Sequence, residues 1–117
     1  MSLQTIVRKQ LLYAVTGESG LTSVDVREIR FEPGQQTGRH LHPCHVFGYI
    51  AQGTAQFQIE GQPAQQLPAG SAFHEPAQTV IADFSNASAS EPMTFVAFYL
   101  LNGDQELIKM LETSQGA

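Results

Sequence analysis

Glycine and proline break this chain into short runs, and that punctuation limits its fold more than any other feature. Pro33-Gly34, Pro43, Gly53, Gly61, Pro63, Pro68-Ala-Gly70 and Pro76 follow one another closely, and a loop S-N-A-S-A-S-E-P covers residues 85–92. Several runs between these marks alternate apolar with polar residues, as Ala55, Phe57 and Ile59 do against Gln56, Gln58 and Glu60. Alternation with period two is the pattern of a half-buried strand. Many short strands at close spacing predict an all-β sandwich or barrel.

Further strands are expected at 37–42, 46–52, 65–67, 71–75 and 79–84. Residues 3–13 read as a strand or arm. The run V-D-V-R-E-I-R-F-E within 22–32 alternates but slips phase between Val26 and Ile29, which predicts a bulge. Residues 93–101 are apolar at nearly every position, so this strand is expected to be central and buried on both faces. Asn102-Gly103-Asp104 then forms a break and a helix cap. Leu107, Ile108, Met110 and Leu111 at helical spacing predict one short C-terminal helix over about 104–112.

With 117 residues there is room for a single domain, 1–117, whose core needs no disulfide. A net charge of -5 and six scattered basic residues leave no cationic stripe for phosphates, so neither nucleic acid nor an anionic membrane is an expected partner. No apolar run approaches bilayer length and the first residues lack a signal-peptide pattern. Cys44, the single cysteine, has no internal partner for a disulfide. A cytoplasmic address is the expectation.

Chemistry concentrates in residues 34–53, G-Q-Q-T-G-R-H-L-H-P-C-H-V-F-G-Y-I-A-Q-G, which hold three of the four histidines. His40 and His42 are two apart, so on an extended strand both imidazoles face the same side. Imidazole is the commonest metal ligand, but a stable first-row site needs further groups.

The spacing Gly34, five residues, His40-x-His42, three residues, Val46, six residues, Gly53 resembles the first signature motif of the cupins. A second cupin motif is matched by residues 61–86, with Pro68-x-Gly70, with Pro76-x-Gln78 where the family usually has Pro-x-Gly, and with Asn86 near its end. The resemblance runs from about Val24 to Leu101. It implies a double-stranded β-helix, or jelly-roll barrel, commonly dimeric, with a ligand pocket at one mouth. Metal-holding cupins generally use two histidines and a glutamate from motif one and a histidine from motif two. Here Val46 stands in the glutamate position and Ile81 in the histidine position.

The resemblance therefore implies a partial site for one divalent transition metal, Zn, Ni, Mn or Fe, based on His40 and His42. His45, Cys44, His74 and Glu75 are candidates to complete it. Strand parity opposes His45 if Val46 faces inward, and the parity of His74 is open. Val46, Gly48, Ile81 and Glu75 are the expected pocket residues, while Phe47 and Tyr49 on the opposite face suit core or dimer packing. Three functions compete: a metal-dependent small-molecule enzyme, a metal-free module binding a small organic ligand, and a metal-free enzyme using a histidine as acid or base. A homodimer is expected.

Overall fold

The computed structural model describes residues 9–14 and 20–112, and among them all regular structure is strand. In chain order the strands are β1 (Ser23–Phe31), β2 (His40–Leu41), β3 (His45–Gln52), β4 (Thr54–Ile59), β5 (Gln65–Pro68), β6 (Ala72–Glu75), β7 (Ile81–Asn86), β8 (Met93–Leu101) and β9 (Lys109–Met110). They form two antiparallel sheets, ordered β1-β8-β3-β6 and β5-β4-β7-β2-β9. The result is a β-sandwich of jelly-roll type. Of the expected arm at 3–13, residues 3–8 lie outside the described residues and 9–13 carry no strand. Among the described residues no helix is long and apolar enough to cross a membrane.

The inward faces follow the sequence alternation. Met93, Phe95, Ala97 and Tyr99 of β8, Val46 and Ile50 of β3, and Phe73 of β6 are buried against Ala55 and Phe57 of β4 and Ile81 and Phe84 of β7. The register between β4 and β7 shifts between Gln58 and Ile59, so Ile81 and Phe84, three residues apart, are both buried. At Gly48 the backbone meets the Phe73 ring so closely that an added Cβ would lie 2.0 Å from its Cζ. Only glycine lets Phe73 cross there.

Three expectations are corrected. β1 pairs with β8 residue for residue from Ser23↔Leu101 to Phe31↔Met93, so there is no bulge between Val26 and Ile29. The pleat simply continues, which turns Val24 and Val26 outward at 50% and 54% exposure. β8 is central, lying between β1 and β3, but only one of its faces is fully buried. Its outward Phe98 is 37% exposed, because nothing in the described chain covers that side of the sheet.

The third correction concerns the helix expected over about 104–112. A helix would bond the Leu107 carbonyl to the Leu111 N–H. Here that carbonyl accepts from His42 Nδ1 at 2.6 Å, and the Leu111 N–H donates to the Arg39 carbonyl at 3.0 Å. β9 pairs with β2 instead, placing Met110 opposite His40. The apolar spacing was real, but its backbone partners lie on the barrel.

The turn after β6 places Gln78 at φ 60, in the left-handed region where a Cβ costs about 1–2 kcal/mol. Its N–H donates to the His42 carbonyl at 2.8 Å, so the strained turn fixes the backbone of a site histidine. Gln78→Gly is expected to stabilise the protein by about 0.5–1 kcal/mol, the relief of strain less the added unfolded-state entropy of glycine. Urea unfolding measures this; a lower midpoint would show that the glutamine side chain, not the backbone, maintains the turn.

Candidate metal centre

His40 lies on β2, and His42 follows it where the chain leaves that strand. Both rings point into the barrel and are almost fully buried. His40 Nδ1 is 2.7 Å from the Gly38 carbonyl, and His42 Nδ1 is 2.6 Å from the Leu107 carbonyl. A carbonyl only accepts, so each Nδ1 carries the hydrogen and Nε2 is the ring atom turned to the interior, where a neutral ring presents a lone pair and a protonated one an N–H.

The two Nε2 atoms converge on a carboxylate. Glu75 Oε1 lies 3.2 Å from His40 Nε2 and 3.1 Å from His42 Nε2, and the three ligand atoms fall within 4.8 Å of one another. Three lone pairs facing each other in a largely buried cluster repel unless a cation lies among them, either protons on the ring nitrogens or a metal ion. Ligands about 2.1 Å from a shared ion sit roughly 3.0–3.4 Å apart, the range of both histidine-to-carboxylate distances here. The carbonyls that hold each Nδ1–H are the outer-shell partners that ligating histidines require.

Without an ion, protons on the ring nitrogens fill that cationic role, and the acidities follow from it. Burial is the largest single influence on Glu75 and pushes its carboxyl up, but hydrogen bonds from His40 and His42, with their charges, outweigh it and hold Glu75 below the usual carboxylate range. Burial likewise opposes charge on His42, yet the Glu75 hydrogen bond, the Glu75 charge and the Leu107 carbonyl together raise it above an ordinary histidine.

The origin of the carboxylate explains the altered motif. β3 and β6 pair so that Val46 lies directly opposite Glu75, and both side chains face inward. Directly opposed residues have Cβ atoms about 4.5–5.5 Å apart. The carboxylate that position 46 lacks is thus supplied by its cross-strand neighbour.

His45 and His74 stand outside this group. His45 Nδ1 is 2.9 Å from His74 Nε2, and the two rings stack at 5.1 Å. His74 also stacks on Phe47, on the face opposite Glu75, with ring centroids 4.3 Å apart. Burial first, then the neighbouring His45, lowers the basicity of His74. Cys44 is buried in the core. Ile81, opposite His40 on β7, is fully buried core, and Gly48 abuts Phe73, so neither lines the cavity described next.

A cavity of about 170 Å³ opens beside these three side chains, His40, His42 and Glu75. Besides Val46 and Glu75 its wall includes Thr37, Tyr99 and Ile108, none of which the motif spacing indicates. Tyr99 sits opposite Val46 on β8, with its ring 5.7 Å from that of His42. Burial, then the Glu75 charge, raises the Tyr99 phenol above its ordinary value and keeps it protonated. The signal for Glu75 was available in F-H-E: if Phe73 is core, period two turns Glu75 inward and His74 outward.

A family model described as cupin domain matches residues 27–99. Among solved structures the chain is similar to a cupin-like protein from Thermotoga maritima, with 25% identity and TM-score 0.67 over 85% of this chain and 72% of that one. It is also similar to the DMSP lyase DddQ from Ruegeria pomeroyi, with 17% identity and TM-score 0.67 over 80% of this chain and 46% of the lyase. A third is the polyketide cyclase RemF from Streptomyces resistomycificus, with 14% identity and TM-score 0.64 over 79% of this chain and 63% of that one. This chain thus spans less than half of the lyase, and at such identities the two enzymes speak for the fold alone. No curated protein matches.

Proposed function

The chain belongs to the cupin family, and from that premise we propose that it is a metal-dependent small-molecule protein whose ligand occupies the barrel cavity. His40, His42 and Glu75 hold one divalent transition ion, Zn, Ni, Mn or Fe. The observation that carries this reading is the convergence of two Nε2 atoms and a carboxylate oxygen, with both Nδ1–H groups already engaged by carbonyls. Such an ion would act as a Lewis acid, polarising an oxygen of the organic ligand.

The chain's own residues do the rest. The Gly38 and Leu107 carbonyls orient the rings, Val46 and Ile108 help exclude water, and Tyr99 offers a hydroxyl proton at the cavity wall. Protein purified without chelator is expected to carry Zn, Ni, Mn or Fe by elemental analysis, and His40→Ala to lose it. Wild-type protein that is metal-free and gives no heat on titration with any of the four ions would overturn the reading.

The same proposal includes a homodimer and a reducing, cytoplasmic setting for the buried Cys44. Val24, Val26, Tyr49 and Phe98 are exposed on adjacent strands of one sheet, with Phe98 directly opposite Val26 and Phe47. A second copy covering this face removes them from water. Light scattering at micromolar concentration is expected to give the dimer mass, with Phe98→Glu giving the monomer; a monomeric wild type would rule the dimer out.

A further inference from the structure

The cavity wall itself narrows the ligand, and we infer that the site takes a small monoanion with one oxygen-donor head and a hydrocarbon body. This rests on the metal reading above. Beyond the three ligand residues, the polar groups on the wall are Thr37 and Tyr99; the remainder is aliphatic or aromatic, including Ile29, Phe31, Phe84 and Phe95. Among the described residues no lysine or arginine lines it. An anionic group can therefore be neutralised only at the ion.

Charge then fixes the number of anionic heads. One divalent ion with the Glu75 carboxylate leaves a single positive charge in a buried apolar setting, which one anionic head cancels. A dianion would leave an uncompensated negative charge against hydrocarbon. A sugar would bury hydroxyls with too few partners, each costing the desolvation of an unmet hydrogen bond.

Size fixes the body. At about 170 Å³ the cavity is close to an apolar protein cavity of about 150 Å³ that holds one benzene. A single six-membered ring or a short branched chain fills it. A fused-ring or nucleotide-sized ligand does not fit.

The experiment uses the intact protein, loaded with zinc and checked for zinc content, and titrates benzoate, acetate, phthalate, oxalate and toluene. Benzoate is expected to bind roughly 10–100-fold more tightly than acetate, the gain from burying a ring. It should also bind at least about tenfold more tightly than phthalate or oxalate. Toluene should bind the zinc-loaded and zinc-free proteins alike. Ile108→Lys, a change at a partly exposed wall position, should shift preference towards phthalate by supplying the missing cation. Zinc-loaded protein that prefers oxalate, phthalate or acetate to benzoate overturns the ligand assignment and leaves the metal centre standing. Failure to load zinc, nickel, manganese or iron removes both.

Discussion

Glu75→Val is expected to strip the protein of its metal, and adding Val46→Glu to that variant to restore it. The first half follows from coordination: the carboxylate is the only anionic ligand in the group, and without it two neutral imidazoles remain. Losing even an outer-shell partner weakens a metal site by about 10–100-fold, so losing a ligand should weaken it by roughly 100-fold or more. The second half follows from register. Val46 and Glu75 are directly opposed on β3 and β6 with both side chains inward, so exchanging them moves the carboxylate across the sheet while conserving composition and net charge.

Val46→Glu alone puts two carboxylates face to face in the core. An unpaired buried charge costs about 3–5 kcal/mol, so the metal-free single variant should be markedly less stable and added ion should recover part of the loss. Zinc titration calorimetry with thermal unfolding reads all three variants. An exchanged protein that folds yet ignores zinc would show that the site depends on the Glu75 backbone position rather than on a carboxylate at either partner.

Phe84→Ala should be the most destabilising single truncation in the core. The Phe84 ring is 2% exposed and meets four others, with centroids 4.8 Å from Phe95, 5.0 Å from Phe73, 6.0 Å from Phe57 and 6.1 Å from Phe31. These rings come from strands of both sheets, so the cluster is where the sandwich closes. A buried phenylalanine cut to alanine costs about 3–5 kcal/mol in lost transfer energy and residual cavity. For a chain of this size that lowers Tm by roughly 12–20 °C. Gln66→Ala, at an exposed position of β5 in the other sheet, should cost well under about 1 kcal/mol. Comparable losses at the two positions would mean that the outer face, not the aromatic cluster, carries the stability.

Legibility in the sequence followed the range of the interactions. Punctuation by glycine and proline, with alternation in several runs, placed nearly every strand from β1 to β8, because turn chemistry and side-chain parity are local properties of the chain. The same parity put His40 and His42 on one face and disfavoured His45. Parity also held the signal for Glu75, yet motif spacing drew attention to the empty positions at Val46 and Ile81. Val24, Val26 and the residues of β8 misled in the same direction: apolar composition suggested burial or a bulge, but an apolar outward face obeys alternation as well as a buried one does.

The sequence by itself determined a punctuated all-β chain with two imidazoles turned to one side. Tertiary structure alone decided that a carboxylate meets them, because β3 and β6 are distant in sequence and their register is set by how the two sheets pack. It also decided the fate of residues 104–112, whose helical spacing yielded to the carbonyl and N–H that His42 and Arg39 required. Local pattern fixes which way a side chain points; only pairing between remote strands fixes what it points at.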